Sequence, residues 1–512
     1  MQVLVLKPFK TLDARYQFHP TSFGCDGRYV THAVQSTRIR IDAYNGTMTT
    51  NLSFKLTPNS KEFWFIPLGG TGEIGMNLNL YGHDGQWLIV DCGITFEDQA
   101  DKNGVSQSRV EMPLVDFAAA QRKNIVGIIA THAHEDHIGA LPYLWEHLGC
   151  PIYTTPFTRN VLRNKFAWNN CPAPIHAVTE GGELELGPFT VTFIPMTHST
   201  PETQGLLIDT AVGRVFHTAD WKLDSNPVVG RHMATDQYQA MSQVDAVVCD
   251  STNALNSTSA VSESEVSAGL LSAITDAPGR VVVACFASNI ARLQMLGSIA
   301  KKTHRHVGLL GLSMGNMSRC AQEAGYLQQD FNPIESADLG YLPANEVLAI
   351  ATGSQGEPRA ALHRLSINNH PDLNLEPGDQ VILSAKTIPG NERSVELLMN
   401  RFEQLGVTVL QADTSNLTLH ASGHGGRPEL AKMYEWIAPR AVIPVHGEPK
   451  HLLANANIAA ATGVQSQLVG RNGDLYDLVN LKIQTNAVPV GRMTLDTYGQ
   501  LIRLTANASV AP

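Results

Sequence analysis

A chain of 512 residues is too long for one small core and suits two or three domains. Its 43% hydrophobic and 16% charged residues are ordinary globular composition, which excludes wholesale disorder, and its dispersed glycines and prolines exclude a collagen-like period. The formal charge of −10 excludes a histone-like binder but not a nucleic-acid enzyme, which needs only a local basic groove.

No apolar run reaches the roughly 18 residues of a membrane helix. The N-terminus, MQVLVLKPFKTLDARYQF, lacks a long apolar stretch and a small-residue cleavage site, so neither a signal peptide nor a membrane partner is expected. Seven scattered cysteines, none in a CxxC pair, fit a reducing cytoplasm with buried thiols.

In chain order, residues 1–60 are polar and weakly periodic and read as an N-terminal extension. Met48 is a natural start, so residues 1–47 are either a mobile extension or a misplaced translation start; mass spectrometry of the native N-terminus decides. From Glu62 the pattern predicts strands at FWFIPL, WLIVD, NIVGIIA, FTVTFIPM, RVFHTAD and DAVVCD, with a helix over Ile138 to Leu148. A second block follows: RVVVACF, the helix-like ARLQMLGSIAKKT, then HVGLLG, EVLAIAT and QVILSA. These alternations predict a parallel-rich α/β domain. SVELLMNRFEQLG and ELAKMYEWIAPR read as helices, and AVIPVHG as a buried strand.

Ligand-type residues fall at the carboxyl ends of five of these strands: His132, His198, Asp220, Asp250 and His446. Open α/β sheets place their sites there. The strongest motif is Thr131-His132-Ala133-His134-Glu135-Asp136-His137. Three imidazoles and two carboxylates straight after an apolar strand cannot be an ordinary core segment, because uncompensated burial is too costly. The bland alternative is a solvated polar turn.

Imidazole and carboxylate suit zinc or manganese. His132 and His134 can converge on one ion, and Asp136 and His137 on a second, giving a pair that clamps a displacement at phosphorus. His198, Asp220 (able to bridge both ions) and His446 complete two shells. Each alone reads as an ordinary surface, turn or core residue. His424 lies in the glycine-rich Ala421-Ser422-Gly423-His424-Gly425-Gly426, where backbone N–H groups can approach an anion; a plain flexible turn fits equally.

Two motifs are decoys. Gly70-Thr71-Gly72-Glu73-Ile74-Gly75 matches a dinucleotide fingerprint, but NLNLYG after it reads as a strand where that site needs a helix. Gly311-Leu312-Ser313-Met314-Gly315 matches a nucleophile elbow, but a serine hydrolase leaves the histidine cluster unexplained, so a structural turn is expected.

Together these residues resemble the metallo-β-lactamase superfamily, through the HxHxDH run at 132–137. They resemble its β-CASP nucleases, and the ribonuclease J family in particular, through GGTGEIGMN (69–77), DST (250–252), FASN (286–289), TGSQGEP (352–358), SGHG (422–425) and PVHGE (444–448). The similarity covers about Phe63 to Asp496. It implies an α/β fold: a metallo-β-lactamase αββα sandwich with an inserted β-CASP α/β domain. The implied division is 61–260 for the first part of the core, 261–410 for the insertion, 411–485 for the returning core and 486–512 for a C-terminal tail.

The resemblance implies two Zn2+ ions, with Mn2+ or Mg2+ as alternatives, on His132, His134, Asp136, His137, His198, Asp220 and His446. It implies catalytic roles for Asp136, Asp220 and His424, and makes Asp250 the acidic motif that opens the insertion. Ser288 and Asn289, with His420, Ala421, Ser422, Gly423 and His424, correspond to the pocket for RNA phosphates, including a 5′-monophosphate.

The implied activity is 5′-to-3′ exonuclease with endonuclease action on RNA, leaving 5′-phosphate and 3′-hydroxyl ends. The implied partners are RNA and a homodimer or RNA-decay proteins. In the family a further C-terminal domain supports oligomerisation; this chain stops soon after GRMTLDTYGQLIRL. Arg292, Arg359, Arg364, Arg393 and Lys450 are either phosphate contacts or solvated surface charge, which look alike in sequence. Other readings stay open: a small-molecule metallohydrolase acting on a lactam or thioester, a β-CASP nuclease acting on DNA, and a non-catalytic RNA-binding scaffold.

Overall fold

The computed structural model describes residues 56–100, 106–231, 235–241, 243–327, 331–388, 390–504. The expectation for residues 1–47 lies outside them. Two large sheets stack face to face. The first has eight strands in the order Lys482–Gln484, Leu475–Asp477, Phe63–Gly69, Leu78–His83, Gln86–Val90, Ile125–Ile129, Ile152–Thr154, Ile175–Ala177. The second has seven, in the order Ser466–Gln467, Ala441–Val445, Ala246–Asp250, Gly213–His217, Gln204–Thr210, Phe189–Pro195, Glu183–Leu186.

Burial follows the two-residue period of a strand. In FTVTFIP, Phe189, Val191 and Phe193 face the gap between the sheets, where they meet Phe63, Phe65, Tyr81 and Leu88 of the first sheet. Ala246 and Val248 enter that same core, while Val247 and Cys249 pack on the outer helices Arg427–Ile437 and Pro449–Ala461. The helices Leu141–Leu148 and Pro156–Asn169 cover the outer face of the first sheet. The result is a helix–sheet–sheet–helix sandwich.

Between Ala246–Asp250 and its parallel neighbour Ala441–Val445 the chain inserts a separate five-stranded sheet. Its strands are all parallel, in the order His306–Leu310, Val347–Ala351, Val281–Ala284, Gln380–Leu383, Thr408–Gln411. Both faces are covered, so VVVA and VLAIA are buried throughout, as parallel strands require.

Three features differ from the sequence reading. The helix expected over Ile138 to Leu148 is two pieces, Glu135–Ile138 and Leu141–Leu148, split at Gly139, where a Cβ would sit 2.5 Å from the Glu135 carbonyl. In the C-terminal segment, Arg492–Leu495 and Leu501–Leu504 form a hairpin that extends Ser106–Pro113 into a four-stranded sheet. Finally, Arg292 is fully buried rather than a surface contact. Its guanidinium bonds Glu263 at 3.1 Å, the Ser384 and Leu419 carbonyls at 3.1 and 3.3 Å, and the Ser384 hydroxyl.

Arg292→Met would leave Glu263 buried and unpaired. It is expected to lower stability by about 3–5 kcal/mol. Urea unfolding followed by tryptophan fluorescence checks this; an unchanged midpoint would contradict it. Among the described residues, no helix is long and apolar enough to cross a membrane.

Candidate metal centre

Gly213–His217, Ala246–Asp250 and Ala441–Val445 run parallel, so their carboxyl ends share one edge of the second sheet. Gln86–Val90 and Ile125–Ile129 do the same in the first sheet. Asp220, Asp250, His446, Asp91 and the 131–137 turn therefore meet. Three non-glycine residues here, Asp91, Ala219 and His446, hold φ of 64, 50 and 52°, a left-handed conformation that persists only where surrounding structure enforces it. For His446 that enforcement is visible: its N–H donates to the Gly70 carbonyl at 2.6 Å. The GGTGEIG loop thus braces this histidine, and a strand, Leu78–His83, follows it where a dinucleotide site needs a helix.

Of three overlapping groups of suitable donors, two include the 132–137 turn: His132, His134, His198 and Asp220; then Asp136, His137, Asp220 and His446. Asp220 is common to both. Its Oδ2 lies 3.7 Å from His132 and 3.6 Å from His198, its Oδ1 3.3 Å from His137 and 3.0 Å from His446. That Oδ1 is buried and accepts no well-angled hydrogen bond.

Hydrogen-bond partners assign the tautomers. The Thr131 hydroxyl donates to Asp91 Oδ2 at 2.9 Å, so His132 Nδ1, 3.1 Å away, donates to that hydroxyl and Nε2 keeps its lone pair. His198 Nδ1 donates to the Gly423 carbonyl at 2.6 Å, which also leaves Nε2 bare. Both bare nitrogens approach His134 Nδ1, at 3.0 and 3.1 Å. His137 Nδ1 donates to Asp91 Oδ2 at 2.7 Å, turning its Nε2 toward Asp220. Lone pairs aimed at one another around an orphaned carboxylate oxygen are what a divalent cation satisfies, so the residues present fit the expected metal.

The electrostatics agree. Burial, with neighbouring imidazoles, pushes His132 and His198 well below the usual histidine range, and burial takes His134 down to about 4. Neutral imidazole is the form that ligates. Burial opposes charge on His137 and His446 too, but Asp220 and the adjoining carboxylates outweigh it and raise both. Asp136 is lowered: burial opposes, and His137 and His446 overcome it.

His424 sits beside these groups. Its Nδ1 contacts Asp250 Oδ2 at 2.7 Å, and its Nε2 stands 3.9 Å from Asp220 Oδ2. Burial opposes its charge, but Asp250 and Asp220 raise its pKa. Asp136 and His424 keep 31% and 21% of their side chains exposed against 4% or less for Asp220, His132, His137, His198 and His446, so the centre opens on their side.

The 420–424 loop is held closely. Ser422 Oγ accepts from the His424 N–H at 3.1 Å and from Asn253 at 3.3 Å. Ala421 is buried. His420 is wedged near Arg292 with a buried, unpartnered Nδ1, and burial followed by that guanidinium takes it down to about 4. A Cβ on Gly423 would lie 2.5 Å from His198 Cε1. Gly423→Ala is therefore expected to push His198 off its position and reduce metal affinity by about 10–100-fold, as loss of a supporting partner does; zinc titration checks it, and unchanged affinity would contradict it.

Ser288 is half-buried in the loop after Val281–Ala284. Asn289 is buried, and its side-chain oxygen caps the helix Ile290–Lys302 by accepting the Arg292 N–H at 2.9 Å, so that oxygen is already engaged. Ser313 of the GxSxG run lies exposed in the first turn of the helix Leu312–Glu323, at a strand-to-helix turn.

Sequence reasoning missed Asp91 and Asn77. Asp91 fixes Thr131 and His137 together; Asn77 Nδ2 reaches the Asp136 carbonyl at 3.1 Å and His137 at 3.2 Å. A signal existed for Asp91, which ends a strand as Asp250 does.

Three family descriptions match the chain: "Beta-lactamase superfamily domain" over residues 86–283, "Ribonuclease J, beta-CASP domain" over 278–402 and "Zn-dependent metallo-hydrolase RNA specificity domain" over 416–468. Ribonuclease J of Sinorhizobium meliloti is 40% identical over 427 residues, 82% of this chain and 74% of the relative. Ribonuclease J of Mycolicibacterium smegmatis is 37% identical over 438 residues, 84% and 77%; that of Thermus thermophilus is 35% identical over 448, 85% and 77%. A solved structure of a protein of unknown function from Enterococcus faecalis V583 shares the fold, with a TM-score of 0.58 at 16% identity, covering 81% of this chain and 100% of that one. With the inserted parallel domain, the sandwich edge that gathers these ligand-type residues and relatives at this identity, the chain belongs to the ribonuclease J family.

Proposed function

We propose that the protein is a metal-dependent ribonuclease that hydrolyses RNA phosphodiester bonds, working 5′ to 3′ from an end and also cutting internally, in RNA processing and decay. The observation that carries this is one buried carboxylate, Asp220, dividing its two oxygens between two histidine groups. His132, His134, His198 and Asp220 would hold one ion; Asp136, His137, His446 and Asp220 the other. Zinc is the first choice by donor chemistry, with manganese or magnesium able to substitute. When bound, such a pair supplies Lewis acidity and an acidified water for in-line displacement at phosphorus.

The protein's own groups do the rest. Asp136, on the open side, orients the attacking water. His424, its Nδ1 tied to Asp250, presents Nε2 to the centre and gives a proton to the departing 3′-oxygen as the P–O bond breaks. The products are a 5′-phosphate and a 3′-hydroxyl. Ser288 and the backbone of His420 to His424 cradle the neighbouring phosphate, a 5′-monophosphate included, and Asn289 holds that edge in shape through its cap.

On this reading the core comprises 61–260 and 411–485, the insertion 261–410 and the tail 486–512. The free thiols among the described cysteines support a cytoplasmic setting, with a second copy or RNA-decay proteins as partners.

The test is to incubate purified protein with 5′-monophosphorylated and 5′-triphosphorylated RNA of one sequence, with and without chelator. Mononucleotides, faster from the monophosphate and abolished by chelator, are expected, with internal fragments from the triphosphate. Cleavage of a DNA control but not of RNA would overturn the reading.

A further inference from the structure

The sequence left five basic residues undecided; Arg393 lies exposed in the first turn of the helix Glu392–Gln404, and the structure separates the other four. Arg292 is buried against Glu263, and Lys450 pairs with Glu448 at 2.8 Å. Arg359 and Arg364, by contrast, line one cleft of about 720 Å³ in the inserted domain, together with His363, His370, Ile367 and Pro358. Among the described residues, neither guanidinium has an ion pair or a side-chain hydrogen bond. Several arginines elsewhere in the chain are ion-paired: Arg280 to Asp379, Arg440 to Asp245, Arg492 to Glu111. In a chain of net charge −10, two unmatched cations facing one cleft mark a place where negative charge comes from outside. Asp372, which faces His370, is engaged by the Ser336 hydroxyl at 2.7 Å.

Two further observations point the same way. Arg359 holds φ at +69° at the tip of a loop closed by the Leu362 N–H on the Thr352 carbonyl at 2.9 Å. A non-glycine residue there is strained, and such strain gathers at ligand clamps. The loop also leaves the carboxyl end of Val347–Ala351, beside Val281–Ala284, whose end leads to Ser288. The next strand, Gln380–Leu383, leads to Ser384, whose hydroxyl donates to the Leu419 carbonyl at 2.6 Å just before His420. The loop carrying Arg359 and the segment leading to His424 therefore both leave the carboxyl ends of strands of one parallel sheet.

We infer that this cleft is a second docking site for the RNA backbone, outside the metal centre, at which Arg359 and Arg364 take phosphates of the strand lying across the edge of the inserted domain. The apolar Ile367 and Pro358 offer a wall for a base between them. This rests on the ribonuclease reading above. It predicts that long RNA is held by charge well beyond the bond being cut, whereas a small phosphodiester is not.

The double variant Arg359→Gln/Arg364→Gln tests it. Both side chains are exposed, and a thermal melt verifies the fold. Binding of an uncleaved phosphorothioate RNA is measured over a range of salt, and hydrolysis of bis(p-nitrophenyl) phosphate beside it. The variant is expected to bind RNA about tenfold more weakly, with a slope of log Kd against log salt reduced by about 1.4, 0.7 for each lost single-strand phosphate contact. Hydrolysis of the small diester is expected to stay unchanged, and Arg359→Lys/Arg364→Lys to restore most of the slope.

Affinity and slope equal to those of the unaltered protein would overturn the inference; an acidic protein segment as occupant gives this result. Unaltered protein that binds and cleaves no RNA overturns the ribonuclease reading instead, so the two failures are distinct.

Discussion

Asp220→Asn is expected to strip the protein of metal and abolish hydrolysis. The substitution is nearly isosteric, so the surrounding packing survives. What changes is chemistry. One carboxylate oxygen looks toward His132 and His198, the other toward His137 and His446. An amide offers one oxygen and one NH2, so either choice aims a donor at one histidine group and removes the charge both share. Loss of a shared ligand forfeits several kcal/mol of charge stabilisation, roughly three powers of ten or more in kcat/KM. Metal analysis of the purified variant, run beside an RNA cleavage assay, checks both halves. Full metal with full activity would remove Asp220 from the centre.

His424→Ala is expected to behave differently: metal content near that of the unaltered protein, cleavage slower by about 10²–10⁴-fold, the range for a lost general acid. The reason is positional. His424 Nδ1 is taken by Asp250 at 2.7 Å, and its Nε2 is 3.9 Å from Asp220, nearer the rim than the ligand groups. The loss should fall on kcat more than on KM, because the proton is needed as the bond breaks and not when RNA binds. Metal loss in this variant would instead make His424 a ligand. His424 does belong to a third potential donor group, with Asp220, Asp250 and His446, so the measurement discriminates.

What was legible in the sequence was whatever sits at the end of an apolar strand. His132, His198, Asp220, Asp250 and His446 each follow such a run; parallel pairing brings the ends of the runs before His132, Asp220, Asp250 and His446 to shared edges, while the strand before His198 pairs antiparallel with both neighbours. The inserted domain was legible as well: RVVVACF, EVLAIAT and QVILSA read as short apolar strands alternating with helices, and the structure buries VVVA, VLAIA and QVIL throughout.

Illegible were contacts made across long stretches of chain. Asp91 holds Thr131 and His137, forty and forty-six residues on, and nothing local distinguishes it from any carboxylate after a strand. The need for glycine at 423 arises from His198, 225 residues earlier, whose ring leaves no room for a Cβ. Arg292 has the same composition as a phosphate contact; only the fold reveals that Glu263, Ser384 and Leu419 enclose it. The hairpin over Arg492–Leu504 depends on pairing with Ser106–Pro113, which no local periodicity announces.

The most direct measurement is the metal content of the native protein by inductively coupled plasma mass spectrometry, taken beside its cleavage of 5′-monophosphorylated RNA before chelation, after chelation and after metal is restored. Two ions per chain, with cleavage lost and regained alongside them, is the predicted result. A protein with fewer than one ion per chain that cuts RNA undiminished would contradict a two-ion centre.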